Sequence, residues 1–359
     1  MRSRLAAPVA VGLGVLLLLA GCSSASSPSP ETKEVLFLFP YDASAPNGYG
    51  VTLALHLGYF EGEGLDLTIE PVDGGAQVNQ QVVAGRGASG LTGSALVVGT
   101  VAQGFPLKSY FQYAYGSIYM LGLLPDSPIQ EVADLEGKII GFTEAGGGEV
   151  SLMRAILIDA GLDPDSDVEL VAIGEGGPQS LEAIESGRVD AYMAATNDLA
   201  AIEAAGLTLR TLVPEAVRAF PATSIIADPD TFEAERETFV GLGRGMAKAM
   251  VFAKANPEAA EKVLTEAYPE AWSSPDIPRS LLALWIGLSE PPAAANGQYG
   301  WTDPAQWGAL DDYLAKGAEI GVGQPAERPD LTDTVDSSLL DELNDFDHAA
   351  VEEEARNYE

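Results

Sequence analysis

The sequence contains very little cysteine and histidine. Cys22 is its only cysteine, and His56 and His348 are its only histidines. One cysteine forms no intrachain disulfide, and neither histidine has a partner at the spacing of a zinc site. There is also no Ser-His-Asp pattern of the kind that activates a nucleophile. We therefore expect a protein that is not an enzyme and that carries no metal and no cofactor.

Basic residues are also scarce. The chain has 19 Lys and Arg against 53 Asp and Glu, which gives a formal net charge of −34. A chain with this charge repels DNA, RNA and anionic lipid. We expect no nucleic-acid partner, and membrane attachment cannot depend on charge. For most of the surface, we interpret the acidity as a trait of solubility or salt tolerance.

Only one long apolar run occurs, at residues 6–20, after Arg2 and Arg4. It is shorter than the roughly 20 residues that cross a bilayer, and it ends in the small-residue pattern of a secretory signal. The order LAGC at residues 19–22 resembles a bacterial lipobox. We predict a signal peptide at residues 1–21, lipidation of Cys22 and a tether at residues 22–32. The protein would then be anchored to the outer face of the bacterial cytoplasmic membrane.

Strands and helices alternate in two segments of the remaining chain. The first has predicted strands at 35–39, 65–70, 88–91 and 107–113, and helices at 49–60, 77–84 and 94–103. The second has strands at 138–143, 168–173 and 189–194, with a helix between each pair. This order predicts parallel sheets with right-handed crossovers. Two such units in one exported chain suggest two lobes that face each other across a cleft.

The apolar segment at residues 220–227 predicts a strand that returns to the first lobe. Helices at 240–255, 278–288 and 304–320 would then pack on that lobe. We therefore predict a first lobe at residues 33–114 and 220–325, a second at 115–219, and an acidic C-terminal tail at 326–359. We expect residues 341–359 to form a solvated helix or a frayed end.

Four segments resemble the NMT1/THI5-like and SsuA-like solute-binding family. They are GYFEGEGLDL at residues 58–67, IQEVADLEGKIIG at 129–141, AGLDPDSDV at 160–168 and ESGRVDA at 185–191. The similarity extends over residues 34–265. It implies a two-lobed α/β fold of the periplasmic-binding-protein type II, with a mostly parallel sheet flanked by helices in each lobe. It also implies a monomer that delivers a small-molecule solute to the permease of an ABC importer.

The chain departs from this family in its first loop. The pyrimidine-binding branch often has Asn-His-Thr there, whereas this chain has Asn47, Gly48 and Tyr49. The eukaryotic pyrimidine synthases of the family use a Cys-rich, His-dependent active site that this chain lacks.

A sensor lipoprotein that signals to a membrane receptor is an alternative to transport.

Ligands in open parallel sheets bind beyond the carboxyl ends of the strands. That rule selects the loops at residues 41–48, 73–77, 92–94, 144–149, 174–180 and 195–198. These loops contain six acidic residues and no Lys or Arg. The candidate ligand-binding residues are Tyr41, Asn47, Gln77, Thr92, Ser94, Tyr113, Tyr115, Glu144, Gly147, Gly148, Glu149 and Asn197.

This inventory favours a neutral or cationic, planar, nitrogen-containing solute, such as a pyrimidine-type vitamin precursor. Aromatic residues near the end of the first lobe could stack on a flat ligand. A sulfonate or nitrate-type anion is the alternative, because backbone N–H groups at helix N-termini bind anions.

Overall fold

The computed structural model describes residues 32–144, 148–218, 220–274, 276–318 and 330–358. The predicted signal peptide, Cys22, Gly147 and residues 319–329 lie outside the described residues, as does the tether up to residue 31. The signal peptide and the lipidation therefore stay predictions. Within the described ranges, no helix combines the length and the apolar character needed to cross a bilayer.

Ten strands are found in the described chain, close to the predicted positions where a prediction was made. In chain order they are β1 Lys33–Phe39, β2 Leu65–Pro71, β3 Ser89–Gly93, β4 Lys108–Tyr115, β5 Tyr119–Leu123, β6 Ile139–Phe142, β7 Glu169–Ala172, β8 Ala191–Ala195, β9 Arg210–Leu212 and β10 Pro221–Ala227.

The α-helices follow the same numbering by chain order. They are α1 Tyr49–His56, α2 Tyr59–Gly62, α3 Gly74–Val83, α4 Ser94–Ala102, α5 Gly148–Asp159, α6 Pro178–Glu185, α7 Thr196–Ala204, α8 Pro229–Ala234, α9 Arg236–Ala255, α10 Pro257–Ala267, α11 Asp276–Leu288, α12 Pro304–Ala318, α13 Leu340–Leu343 and α14 His348–Arg356.

The strands form two five-stranded sheets with the same arrangement. The first sheet has the order β2-β1-β3-β10-β4 and the second has β7-β6-β8-β5-β9. In each, three adjacent strands run parallel, and one strand, β10 or β5, pairs antiparallel with both of its neighbours. This is the predicted α/β class of two mostly parallel sheets flanked by helices. We call each sheet with its packed helices a lobe.

Two short strands were not predicted. β9 has three residues, none of which is buried, so it lacks a buried apolar run. β5 has five residues and follows directly after the aromatic-rich β4. These two strands complete the second sheet, in which β5 pairs antiparallel with β8 and β9. The alternation of strands and helices in the sequence did not reveal either strand.

Two crossovers connect the lobes, one after β4 and one before β10. Gly116 in the first crossover has φ of +79°, and a Cβ there would lie 3.2 Å from the carbonyl oxygen of Arg218 in the second. A glycine therefore fits both the backbone conformation and the close approach of the two segments. Paired crossovers of this kind are suited to hinge motion between lobes.

β10 lies inside the first sheet, between β3 and β4, and α8–α11 follow it in the chain. Helix α12 packs chiefly on α5 of the second lobe and makes smaller contacts with α4 and β10 of the first. Lys316 of α12 pairs with Asp159 of α5. The boundaries of the lobes at 33–114, 115–219 and 220–325 stay a prediction.

The expectation of a helix in the C-terminal segment agrees with the described residues, but the expectation that the segment is solvated or frayed was wrong. Helices α13 and α14 pack on α9, and Leu343, Val351 and Ala355 belong to the main hydrophobic core. Asn256 also donates from its side chain to the carbonyl of Ala355. The acidic residues of this segment occupy only the outer faces of these helices, so composition concealed an amphipathic pattern.

Candidate functional site

A cavity of about 190 Å³ lies between the carboxyl ends of the strands of the two sheets. Helices from opposite lobes touch beside it, α4 with α5 and α7 with α11. The residues that line it are Pro40, Tyr41, Asn47, Gly74, Gly75, Leu91, Thr92, Gly93, Leu96, Ile118, Tyr119, Thr143, Glu144, Glu149, Glu175, Ala195, Asn197, Asp198, Thr223 and Trp285.

The position of the cavity follows from the strand topology. Each of the six loops selected from the sequence contributes at least one lining residue. These loops follow β1, β2, β3, β6, β7 and β8, which are the strands that run parallel within their sheets. Parallel strands bring their carboxyl ends to one edge, so loops that are distant in sequence meet there.

The first lobe supplies a wall of aromatic and uncharged polar groups. Four of its lining residues have a buried polar atom without a hydrogen-bond partner among the described residues. These atoms are the hydroxyl of Tyr41, the Oδ1 of Asn47, the Oγ1 of Thr223 and the Nε1 of Trp285. Buried polar atoms are nearly always paired in folded proteins, so this group is an exception that requires an explanation.

Asn47 is held at the cavity by the loop after β1. It lies in a short 3₁₀ helix, Pro46–Gly48, and is 7% exposed. A Cβ on Gly48 would lie 2.1 Å from the Phe39 ring, so only a glycine lets this loop pack against the strand end. Pro46 at the start of the 3₁₀ helix fixes the local φ.

The second lobe supplies acidic groups, of which Glu149 is the most buried. Glu149 lies in the first turn of α5 and is 3% exposed. Its Oε1 accepts from the backbone N–H of Thr143, at 3.2 Å, and from the Thr143 hydroxyl. A carboxylate in this position is stabilised by the positive end of the helix.

Asp198 occupies the equivalent position at the start of α7. It is 8% exposed, and its Oδ2 accepts from the N–H of Ala195 at 3.1 Å. Burial raises the pKa of this carboxyl to about 7, and the nearby charges of Glu175 and Glu149 add to the increase. The hydrogen bond from Ala195 opposes the increase without cancelling it.

Glu144 and Glu175 complete the acidic wall and are more exposed. Burial also raises the pKa of Glu144, with contributions from Glu175, Asp73 and Glu149. Four carboxylates thus line the cavity, and none of its lining residues is Lys or Arg. The local field favours positive charge.

Five predicted site residues in the described chain do not line the cavity, namely Gly148 and four residues with side-chain partners elsewhere. Gln77 accepts from the N–H of Asp73 through its side chain, and Ser94 pairs with the hydroxyl of Ser224. The Tyr113 hydroxyl accepts from the N–H of Gly50, and the Tyr115 hydroxyl donates to the carbonyl of Trp301. The structure uses each of them for internal packing or capping.

Two of the predicted site residues are Gly147 and Gly148. Gly148 is the first residue of that helix and is not among the lining residues. Gly147 lies outside the described residues. Tyr41, Asn47, Thr92, Glu144, Glu149 and Asn197 are the candidates that the structure brings together at the cavity.

Trp285, Thr223 and Tyr119 line the cavity but were not among the predicted site residues. Trp285 is 1% exposed on an amphipathic helix, where sequence alone does not distinguish it from a core residue. Thr223 gives only a weak indication of a binding site in the sequence, since it and Ser224 are polar residues within a mostly apolar returning strand. Tyr119 belongs to an aromatic-rich segment, and its position at the start of β5 decides its role.

A metal is not indicated by the described part of the chain, in which no cluster of three or more His, Cys, Asp or Glu has the geometry of a metal site. His56 instead contacts the hydroxyl of Tyr268 at 3.2 Å, and His348 stacks on Phe346.

The amino-acid sequence matches the model of one protein family. The NMT1/THI5-like family model matches residues 45–260, which is more than half of the chain. The chain belongs to the NMT1/THI5-like family. No curated protein is significantly similar to this family member in sequence.

Solved structures share the fold of this NMT1/THI5-like protein at low identity. The alkanesulfonate-binding protein SsuA from Xanthomonas axonopodis pv. citri, bound to MOPS, is 16% identical with a TM-score of 0.62, over 86% of this chain and 100% of that one. SsuA from Escherichia coli is 17% identical with a TM-score of 0.64, over 84% and 96%.

The nitrate-binding protein NrtA from Synechocystis is 11% identical with a TM-score of 0.59, over 92% of this chain and 100% of that one. At these identities the likeness concerns the fold, which is that of two-lobed periplasmic binding proteins.

Proposed function

We propose that this chain is the extracytoplasmic solute-binding component of an ABC importer. The observation that carries the proposal is the cavity between the two sheets, lined by loops from both lobes. A ligand that contacts both lobes lowers the free energy of the closed state, which is how such a protein would signal its load to a permease. Membership of the NMT1/THI5-like family supports this function, and the lack of the Cys-rich, His-dependent site of the family's pyrimidine synthases disfavours their catalysis.

The solute is a small neutral or cationic, planar, nitrogen-containing molecule of the pyrimidine or vitamin-precursor type. Tyr41, Tyr119 and Trp285 offer aromatic surface to a flat molecule, and Asn47 and Thr223 offer hydrogen bonds. The volume of about 190 Å³ fits a small solute.

A sulfonate or nitrate-type anion is the second candidate, because SsuA and NrtA share the fold. Helix N-termini at α3, α5 and α7 could bind an anion through backbone N–H groups. Each exposed terminus contributes only about 0.3–1 kcal/mol. The acidic side chains Glu149 and Asp198 already occupy the first turns of α5 and α7, so the cationic or neutral solute is favoured.

Thermal denaturation against a panel of small molecules tests the proposal. Pyrimidines, amines, aromatic acids, taurine, an alkanesulfonate and nitrate would each be added to purified protein. A ligand of the folded state raises the midpoint of unfolding by mass action. We expect a nitrogen heterocycle or amine to do so. Exclusive stabilisation by taurine, the alkanesulfonate or nitrate would favour the second candidate instead.

We propose further that the protein acts as a monomer, anchored through lipid on Cys22 to the outer face of the bacterial cytoplasmic membrane. The LAGC order at residues 19–22 supports the anchor. Lipid supplies the membrane affinity that a chain of net charge −34 does not obtain from anionic headgroups.

A further inference from the structure

The two walls of the cavity differ in chemistry in a way that restricts the ligand beyond a neutral or cationic solute. All four lining carboxylates, Glu144, Glu149, Glu175 and Asp198, come from the second lobe. The unpaired polar atoms of Tyr41, Asn47, Thr223 and Trp285 all come from the first lobe. A ligand that spans the cavity therefore meets charge on one side and uncharged hydrogen-bonding groups on the other.

The acidic wall has no counter-charge among the described residues that line the cavity. Glu149 and Asp198 are 3% and 8% exposed, so solvent screens them little. Their hydrogen bonds come from Thr143, Ala195 and Asn197, which are uncharged. Asp198 interacts electrostatically with Glu149, Glu175, Tyr119 and Tyr192, none of which is cationic. An ionised carboxylate is unfavourable in a buried site without a partner, so a bound cation would stabilise the ionised form of this wall.

The first-lobe wall adds a hydrogen-bonding requirement. The Nε1–H of Trp285 is only a donor, whereas the Oδ1 of Asn47 is only an acceptor. Both atoms are fully buried and unpaired among the described residues. Leaving such groups unpaired is unfavourable, so a ligand that pairs both is selected over one that pairs neither.

We propose that the cleft selects an organic cation whose positive group lies against Glu149 and Asp198, and whose flat part carries an acceptor for Trp285 and a donor for Asn47. This inference rests on the proposed solute-binding function. It narrows the class of solute to organic cations and therefore excludes neutral solutes and anions. Charge is recognised by the second lobe, and the uncharged part of the solute by the first.

The test uses yeast extract separated by ion exchange into cationic, neutral and anionic fractions. Each fraction is added to the purified protein, and the midpoint of thermal unfolding is measured at pH 8. We expect the cationic fraction to raise the midpoint. Stabilisation by the neutral or anionic fraction alone would overturn the charge assignment and leave the solute-binding function intact. No stabilisation by any fraction would overturn both.

Variants then test the two walls with the stabilising compound isolated from the cationic fraction. Trp285→Phe keeps an aromatic ring but removes the N–H, and should weaken binding about tenfold. Trp301→Phe, a partly buried tryptophan outside the cavity lining, is the matched control and should not change affinity. Equal affinity of Trp285→Phe and the wild type would overturn the hydrogen-bond assignment.

Asp198→Asn tests whether the positive group of the solute lies against the acidic wall. It should weaken binding of the cation by about tenfold or more, because a hydrogen bond to a charged group is among the stronger ones. The folded state of this variant is checked by its unfolding curve without ligand. An unchanged affinity in the folded variant would overturn the placement of the positive group.

Discussion

Replacing Asp198 by asparagine should make the unliganded protein more stable at alkaline pH. The pKa of this carboxyl is about 7 in the folded protein, against an ordinary value of 3.8. The folded state therefore binds the proton more tightly than the unfolded chain does. As the pH rises from about 4 to about 7, the buried Asp198 carboxyl lowers the free energy of unfolding, because the unfolded chain loses this proton more readily than the folded protein. The loss of stability persists above that range.

The size of the effect follows from the difference between the two pKa values. Each pH unit corresponds to 1.36 kcal/mol, so the difference of about three units amounts to about 4 kcal/mol at pH 8. Asparagine removes the charge but keeps an oxygen that can accept from the N–H of Ala195. The variant should therefore approach this gain at pH 8, show part of it at pH 6, and show almost none at pH 4.

Denaturant unfolding at these three pH values measures the effect. Asp126→Asn serves as the control, since Asp126 is an exposed aspartate in the turn after β5, and its substitution should shift stability by less than about 0.5 kcal/mol. A variant at position 198 that is no more stable than the wild type at pH 8 would refute the reasoning. A gain that is equal at pH 4 and pH 8 would refute the electrostatic cause.

Three further predictions concern the anchor, the hinge and the C-terminal segment. Cys22→Ser should abolish lipid labelling and release the protein from membranes, and labelling that survives would contradict the lipobox interpretation. Gly116→Ala should lower the free energy of unfolding by more than Gly85→Ala. Both positions have positive φ, which costs about 1–2 kcal/mol for a residue with a Cβ, but only Gly116 also meets a carbonyl oxygen at 3.2 Å. Equal losses in urea unfolding would count against the crowding of the crossovers. Leu343→Ala should cost about 2–4 kcal/mol because Leu343 is fully buried, whereas Leu284→Ala, at 38% exposure, should cost less than about 1 kcal/mol. Equal, small losses would mean that α13 is not part of the core.

The sequence predicted the parts of the fold that depend on local pattern. Alternating strands and helices identified both sheets, and the apolar segment 220–227 became β10 within the first sheet. The weaker elements depended on tertiary context. β9 is formed by pairing with β5 rather than by its own apolar pattern, and α14 is ordered by packing of Val351 and Ala355 on α9.

The candidate site could be predicted at the level of loops but not of every side chain. The strand-end rule selected the loops that contain Asn47 and Glu149, because topology alone places them. It did not separate Tyr113 from Tyr119, since both are aromatic residues near strand ends. The hydrogen bond from Gly50 holds the Tyr113 hydroxyl within the first lobe, whereas Tyr119 begins a strand of the second. Trp285 reaches the cavity through helix packing, which no local pattern reports.

The distribution of charge also bears on how the cleft closes. Because the lining carboxylates all belong to the second lobe, their mutual repulsion acts within that lobe, and repulsion across the cleft comes from Asp73 of the first lobe acting on Glu144. A cation bound there would relieve the repulsion around Asp198 before the lobes meet. Closure would then bring Asn47 and Trp285 onto the uncharged part of the solute, and the free energy of those hydrogen bonds would favour the closed state. Recognition of charge and closure of the lobes would thus be separate steps, carried by residues of different lobes.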